Sequence, residues 1–426
     1  MTPGGDPARR TLVRSGLLTS VFLCAALTAR VLDLHTSPVA ALLIYGAAVV
    51  SASFVLAWGA EAAQIDVSGG LAIAVLAVLT VLPEYSIDLY YAFVAGHNIE
   101  YAQYAAANMT GSNRLLMGLG WPLVALVAAM TARSKAGTAA SRRPAAAATA
   151  AGPSLRGLLL EPSNRVELGF LLIASIAAFA IPVSGQIHVA LGLALMAWFG
   201  FYLFTASRGE VEEPALIGTA AALGALPDRT RRISVIVMLV FASAAILLCA
   251  KPFAENLISS GDALGIDRFL LVQWLAPLAS EAPEFIIAVI FAARGKNAAA
   301  IGMLLSSKVN QWTLLIGSLP LAHLAGGGGP ALILDARQVE EVLLTTTQTV
   351  MGVALILGLR FHRTAAWTLL VLFVAQLPLT STGSRWVLSA VYGAIALVGL
   401  FINRRYIVAT LTAPFTPVAD PAEDAR

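Results

Sequence analysis

Long apolar runs recur along the whole chain, and they restrict its fold more than any other feature. They lie at 17–30, 39–60, 67–83, 166–183 and 269–278. Many approach or reach the roughly 20 residues that an α-helix needs to cross a bilayer. Hydrophobic residues make up 58% of the chain and charged residues only 12%, whereas a soluble domain carries about a quarter charged residues. The sequence therefore predicts an all-α, multi-pass membrane protein.

About twelve transmembrane helices are predicted, and the charges of the short loops between them predict their orientation. The helices are expected near 15–33, 38–60, 67–95, 100–131, 166–183, 187–206, 233–253, 268–293, 297–322, 342–359, 364–382 and 385–403. Lys and Arg are enriched in cytoplasmic loops. They concentrate in alternate connections, whereas 34–37, 184–186, 254–267, 323–341 and 383–384 are poor in them. This alternation predicts that both termini are cytoplasmic, in a protein of the cell (plasma) membrane.

The N-terminus allows two interpretations. Arg9, Arg10 and Arg14 precede the apolar stretch 17–27, a pattern that resembles a signal peptide. The same pattern is typical of a first transmembrane helix whose basic flank stays in the cytoplasm. We expect a retained helix.

Two polar connections divide the chain. The segment 132–165 contains an Ala-, Ser-, Arg- and Pro-rich stretch and is predicted to be a flexible cytoplasmic linker. The segment 208–232 is a second cytoplasmic loop, and its acidic residues do not have the spacing of a calcium-binding loop. The predicted segments are 1–131 with the first repeat, 166–207 with the remaining helices of the first half, 233–382 with the second repeat, and 383–426 with the final helix and the tail.

A short motif occurs twice and indicates an internal repeat. Thr80-Val-Leu-Pro-Glu84 corresponds to Ser280-Glu-Ala-Pro-Glu284, with a hydroxyl four residues before a glutamate that follows proline. The likeness continues downstream, where Gly111-Ser-Asn113 corresponds to Ser306-Ser-Lys308. The loop charges orient the two helices in opposite directions. The two repeats are therefore predicted to be inverted relative to each other.

The chemistry of the motif favours a cation site. Pro83 and Pro283 each remove one backbone donor, so both are predicted to break their helices and to leave backbone carbonyls without the usual partner. Such groups persist at membrane depth only where protein, water or an ion satisfies them. Broken helices that carry carboxylates in two inverted halves are typical of alternating-access transporters. Oxygen ligands suit hard cations such as Na⁺ and Ca²⁺. The alternative is that each glutamate only bridges two helices.

These residues resemble the two alpha repeats of the sodium/calcium exchanger (cation/calcium antiporter) superfamily, over 67–125 and 268–322. The resemblance implies a core of five helices per repeat, with one extra helix at each end. It implies that Glu84 and Glu284 are the central metal ligands. It also implies that nearby hydroxyl groups bind the cation, and these are Thr80, Ser280, Ser112 and Ser307.

The second repeat departs from the family pattern. Glu281 stands where the family usually has a small hydroxyl residue, and Lys308 stands where it has asparagine. Gln311 follows Ser307 by four residues, where calcium transporters often have an acidic or amide residue. In the first repeat, Asn108 and Asn113 compete for the role of amide ligand. Asp88 lies one turn after Glu84, but we expect it to be a helix-end residue that faces water.

Lys308 suggests a specific hypothesis. A buried ammonium needs a counter-charge, so we expect Lys308 to pair with Glu281 or Glu284 and to replace one bound cation. The alternative places Lys308 near a helix end, where its side chain extends to the membrane interface.

The function predicted from these residues is secondary antiport of Ca²⁺ or another cation against Na⁺ or H⁺. A proton-coupled sodium exchanger and a degenerate, non-transporting homologue are the alternatives. No catalytic residues are proposed, because His-Glu-x-x-His is absent and the histidines are scattered. No cofactor is expected beyond the transported cations. The expected partners are inorganic cations and the lipid bilayer, with no nucleic acid, and the oligomeric state is not predicted.

Overall fold

The structure is a computed structural model that describes residues 7–34, 36–67, 79–140, 157–208 and 216–416. Within these ranges the chain is almost entirely helical. The helices of the first half are α1 (Pro7–Val31), α2 (Pro38–Ala63), α3 (Leu82–Ala95), α4 (Ala102–Leu115), α5 (Trp121–Ala140), α6 (Asn164–Ala178), α7 (Ala180–Ser184) and α8 (Val189–Ala206).

The second half repeats this helical plan. Its helices are α9 (Gly218–Gly224), α10 (Asp228–Leu264), α11 (Arg268–Arg294), α12 (Asn297–Asn310), α13 (Ile316–Ala325), α14 (Ala336–Ile356), α15 (Arg363–Gln376), α16 (Thr382–Ile402) and α17 (Ile407–Thr412). The described residues also form four three-residue strands: β1 (Gly157–Leu159), β2 (Gln186–His188), β3 (Ala331–Ile333) and β4 (Arg360–His362).

Nine helical segments among the described residues are long and apolar enough to cross a membrane. Three predicted spans are not among them. Most of the first part of the span at 67–95 lies outside the described residues, and α15 is a shorter apolar helix of 14 residues. The span at 297–322 is present as α12 and α13 with a π-helical turn between them. Ser and Lys side chains in these helices lower the apolar content of the span.

Several predicted boundaries are wrong. The connection predicted at 254–267 is helical as far as Leu264, because α10 runs on for 37 residues. Near the predicted helix end, Lys251 and Glu255 form an exposed ion pair one turn apart on the helix surface. α5 extends to Ala140, into the predicted linker, and the rest of that stretch, 141–156, lies outside the described residues. α14 begins at Ala336, six residues before the predicted start, with the side chain of Asp335 capping it.

The chain forms two compact units. The first unit comprises the described residues of Met1–Asn108, Leu203–Pro283 and Leu321–Pro330, and the second comprises those of Met109–Tyr202, Glu284–Pro320 and Ala331–Arg426. The units are therefore not successive segments of sequence. The chain passes between them within α4, α8, α11 and α13 and again before β3.

In the first unit, α2 packs along α10 through small residues. A Cβ atom at Gly46 would lie 3.1 Å from the ring of Phe253, and one at Gly59 would lie 3.1 Å from Leu239. Small residues let two helices approach closely where lipid provides no hydrophobic force to drive them together. At one end of the pair, a cluster of buried apolar residues is completed by α9, and its core members are Ala60, Ala62, Ala63, Leu223 and Val235.

A buried ion pair also joins α2 to α10 within the first unit. Asp66 follows the end of α2 and accepts two hydrogen bonds from the Arg231 guanidinium, at 2.7 and 2.8 Å. Arg232 donates a third at 2.9 Å. The hydrogen bond from Arg231 holds the pKa of the Asp66 carboxyl well below its usual range. The paired form of Asp66 is therefore its ionised form.

In the second unit, two short antiparallel ribbons hold distant segments together. β1 pairs with β4, with Leu158 opposite Phe361, and β2 pairs with β3, with Ile187 opposite Leu332. Helices α8 and α13 approach closely at Gly192 and Gly317, where a Cβ atom on either glycine would lie 2.6 Å from the carbonyl oxygen of the other. These contacts join segments that are far apart in the sequence.

Replacing Asp66 with asparagine is expected to lower the melting temperature of the detergent-purified protein at pH 7. The Asp66 pKa is depressed in the folded state, so its stabilisation is complete above the unfolded-state value of about 4 and is lost as the pH falls below it. The difference between wild type and Asp66→Asn should therefore shrink below that pH. Asp262→Asn is the matched control, because Asp262 binds Arg268 at 2.5 Å in a half-exposed pair, and such pairs contribute little. Equal effects of the two substitutions would contradict this assignment.

Candidate functional site

The first repeat places two carboxylates one turn apart at the start of α3. The helical pattern is interrupted at Val81, and α3 begins at Leu82 with Pro83 in its first turn. Proline suits this position, because the first N–H groups of a helix have no partner within it. Glu84 is in the same turn, where the positive end of the helix dipole favours an anion, and it is 5% exposed.

Asp88 is fully buried, so the expectation that it faces water at a helix end is wrong. The reason is that α3 continues for about two further turns, to Ala95. The side chain of Asn108, on α4, lies beside the Asp88 carboxyl and is also fully buried. The first unit therefore brings together two carboxylates and one amide, namely Glu84, Asp88 and Asn108.

The other candidates in the first unit are Thr80, which lies just before the interruption at Val81, and Ser280 and Glu281 on α11. The Ser280 hydroxyl donates to the carbonyl of Ala276 at 3.2 Å, within its own helix. Glu281 is 2% exposed. Ser280 and Glu281 lie on the helix that also carries Glu284, and the roles of all three residues as ligands stay predictions.

The predicted break at Pro283 is wrong. Pro277 and Pro283 both lie inside a continuous α11. A proline removes one hydrogen bond, and a long helix held by its neighbours can tolerate that loss. The two motifs thus differ: α3 starts at its proline, whereas α11 passes through Pro283. The Ala279 carbonyl still cannot receive a bond from residue 283, because proline has no N–H.

In the second unit, Glu284 is held by a predicted ligand. The Ser307 hydroxyl, on α12, donates a 2.7 Å hydrogen bond to Oε2 of Glu284. The structure therefore brings together the glutamate and the serine that the resemblance assigns to the second repeat. The neighbouring Ser306 makes a different contact, at 2.9 Å from the hydroxyl of Tyr202.

Each repeat contains a π-helical turn that the sequence did not predict. The first π-turn is Leu116–Gly120 and the second is Gln311–Leu315. They begin three residues after Asn113 and Lys308, which are the corresponding residues of the two repeats. Single π-turns within α-helices are rare and often occur at functional sites. No sequence signal indicated them, although their matching positions support the repeat alignment.

Lys308 is fully buried, so the alternative in which its side chain extends to the interface is wrong. Its ammonium donates to the backbone carbonyl of Asn113 at 2.6 Å and to the side-chain oxygen Oδ1 at 2.8 Å. It also lies 5.5 Å from the centre of the Trp312 ring. The hypothesis of a pair with Glu281 or Glu284 stays a prediction. Ser112 and Gln311, the remaining candidates, are both buried in this unit.

A buried network of four charges lies next to this contact and was missed by the sequence analysis. Arg114 follows Asn113 and forms an ion pair with Glu341 of α14. Arg385 of α16 contacts both Glu341 and Glu340. All four side chains are less than 5% exposed. Glu340 and Glu341 had been assigned to the external connection predicted at 323–341, whereas both lie in α14.

The candidate ligands are mostly single carboxylates combined with amides and hydroxyls. Over the ranges that the structure describes, no group of three or more His, Cys, Asp and Glu side chains is arranged to hold a metal ion.

Comparison with known proteins identifies the family. The profile of the sodium/calcium exchanger protein family matches residues 37–208 and 234–382. The crystal structure of the H⁺/Ca²⁺ exchanger CAX is 37% identical, covers 96% of this chain and 98% of its own, and superimposes with a TM-score of 0.85. The Ca²⁺/H⁺ antiporter protein YfkE is 13% identical over 89% of this chain and 99% of its own, with a TM-score of 0.57. Curated protein sequences give no match.

The chain belongs to the sodium/calcium exchanger protein family. Its predicted fold class, a polytopic all-α membrane protein, is confirmed. The prediction of a secondary cation antiporter is confirmed as well, and the alternatives of a proton-coupled sodium exchanger and of a degenerate homologue are not favoured.

Replacing Glu341 with glutamine is expected to destabilise the protein strongly. The substitution leaves Arg114 and Arg385 buried with one carboxylate fewer, and breaking a buried ion pair typically costs about 3–5 kcal/mol. The measurement is the melting temperature of the detergent-purified variant, followed by size exclusion after heating. The control is Glu161→Gln, because Glu161 is exposed in the same unit. Indistinguishable melting temperatures for the two variants would show that the network is not structural.

Proposed function

We propose that the chain exchanges Ca²⁺ for H⁺ across the membrane and that Glu84 and Glu284 bind the transported ions. The observation that carries this proposal is the 37% identity, over nearly the whole of both chains, to a structure described as an H⁺/Ca²⁺ exchanger. A likeness of this extent supports exchange of the same two ions, Ca²⁺ and H⁺, more strongly than it supports Na⁺ as the counter-ion.

The ligand chemistry in each unit supports Ca²⁺ as one of the ions. Ca²⁺ binds six to eight oxygen atoms from carboxylates, amides, hydroxyls and water. Glu84, Asp88 and Asn108 provide such oxygens in the first unit, and Glu284 with Ser307 provides them in the second. Further ligands are proposed in both repeats, and these are Thr80, Ser280, Glu281, Ser112 and Gln311.

The same carboxylates explain how H⁺ and Ca²⁺ can be coupled. A carboxylate oxygen can bind a proton or a metal ion, but not both at once. An ionised carboxylate without its cation is costly to keep inside a membrane, and a proton removes that charge. The protein would therefore change between its inward-open and outward-open states with either Ca²⁺ or protons bound. Such mutual exclusion is sufficient for antiport.

The cell (plasma) membrane is the proposed location, with both termini in the cytoplasm. The basic residues in alternate connections support this orientation. The cations are proposed to be substrates in transit, with no resident cofactor and no enzymatic activity.

The test is Ca²⁺ uptake into proteoliposomes that contain a pH-sensitive dye. With an acidic lumen and no Na⁺, wild type should accumulate Ca²⁺ while the lumen becomes more alkaline. Glu84→Gln and Glu284→Gln should abolish both signals, because an amide cannot exchange a proton for a cation. Uptake that requires a Na⁺ gradient would contradict H⁺ coupling, and uptake that survives both substitutions would contradict the assigned ligands.

Two adjacent serines provide a matched comparison in the same assay. Ser307→Ala removes the hydroxyl that orients Glu284, and a hydrogen bond to a charged group is typically worth about 1.5–3 kcal/mol. The Ca²⁺ concentration for half-maximal uptake should therefore rise by about tenfold or more. Ser306→Ala should leave it unchanged, because Ser306 contacts Tyr202. The same shift for both variants would indicate a general packing effect.

A further inference from the structure

Asn113 and Lys308 are corresponding residues of the two repeats, and they contact each other. The correspondence rests on Gly111-Ser-Asn113 and Ser306-Ser-Lys308. It is supported by the two π-turns, each of which begins three residues later. The contact consists of two hydrogen bonds, from the Lys308 ammonium to the carbonyl oxygen and to Oδ1 of Asn113.

Contact between corresponding residues has a geometric consequence. Two elements related by a twofold axis can touch at equivalent positions only close to that axis. Only one group fits at such a position. The two repeats therefore cannot both provide the same long side chain there. The chain resolves this with an amide from the first repeat and an ammonium from the second.

The surroundings of the ammonium are those of a small cation site. Asn113 supplies two oxygen atoms within 2.8 Å of Nζ. Its Nδ2 donates to the carbonyl of Met109 at 2.9 Å, which orients Oδ1 towards the lysine. The Trp312 ring adds a cation–π contact. Asn113 and Lys308 are both at most 1% exposed. Backbone and amide oxygens of this kind would also bind Na⁺ if the ammonium were absent.

We propose that the Lys308 ammonium is a resident cation that permanently fills a monovalent-cation site formed by Asn113. The ammonium excludes Na⁺ from this position, so the protein binds one cation fewer. This inference rests on the proposed function, because it concerns the cations bound by the same repeats. It differs from an exchange of protons at Lys308, since the ammonium here stays charged throughout the cycle.

The experiment is equilibrium binding of radioactive ²²Na⁺ to the purified full-length protein. Lys308→Asn removes the charge and places a second amide opposite Asn113, so this variant should bind one more Na⁺ per molecule than wild type. Lys308→Met removes the charge but fills the space with an apolar chain, and it should gain no Na⁺. Lys296→Asn is the surface control, because Lys296 is exposed just before α12. Equal Na⁺ binding by Lys308→Asn and wild type would overturn the proposal.

A second measurement covers variants that fold poorly. Lys308→Ala is expressed and purified in methylammonium chloride or in choline chloride at equal ionic strength. Methylammonium is small enough to replace the lysine head group, so it should raise the recovered yield and the melting temperature of this variant and not of wild type. Equal yields in the two salts would overturn the proposal. None of these readouts requires Ca²⁺ transport. If wild type showed no H⁺/Ca²⁺ antiport, that result would contradict the proposed function but not the site at Lys308.

Discussion

A charge buried inside a membrane protein has to be matched by another charge or by oriented dipoles, and the rest of this structure depends on that constraint. The second unit shows two solutions side by side. Arg114 and Arg385 are balanced by Glu340 and Glu341, and the Lys308 ammonium donates hydrogen bonds to two oxygen atoms of Asn113. The first solution fixes α14 and α16 against α4. The second joins Lys308 of the second repeat to Asn113 of the first.

The repeats share a plan but are not equivalent, and the differences follow from chemistry. Both contain a hydroxyl, a proline and a glutamate, and both contain a π-turn. In the first repeat the helix starts at the proline, and the glutamate lies with Asp88 and Asn108. In the second, the helix passes through Pro283 and the glutamate is bound by Ser307. A transporter built from inverted halves needs related backbones, but only one set of side chains can occupy the axis between them.

The sequence predicted the membrane class and most helices, because hydropathy is a local pattern, and the family resemblance assigned Glu284 and Ser307 to the same site. The sequence-based prediction failed where contacts between distant parts of the chain determine the structure. Glu340 and Glu341 were assigned to a loop, since the basic partner Arg385 is more than 40 residues away in the chain. The extension of α10 beyond residue 253 was missed because the apolar run ends there while the helix continues to Leu264. The π-turns and the three-residue strands carry no periodic signal at all.

The most direct test of this account is calorimetric titration of purified wild-type protein with Ca²⁺ in buffers that differ in ionisation enthalpy. The central claim is that Ca²⁺ and protons compete for the same buried carboxylates. Ca²⁺ binding should then release protons to the buffer, and the measured heat should change linearly with the ionisation enthalpy of the buffer. The same heat of Ca²⁺ binding in every buffer would show that no protons are released and would contradict the account.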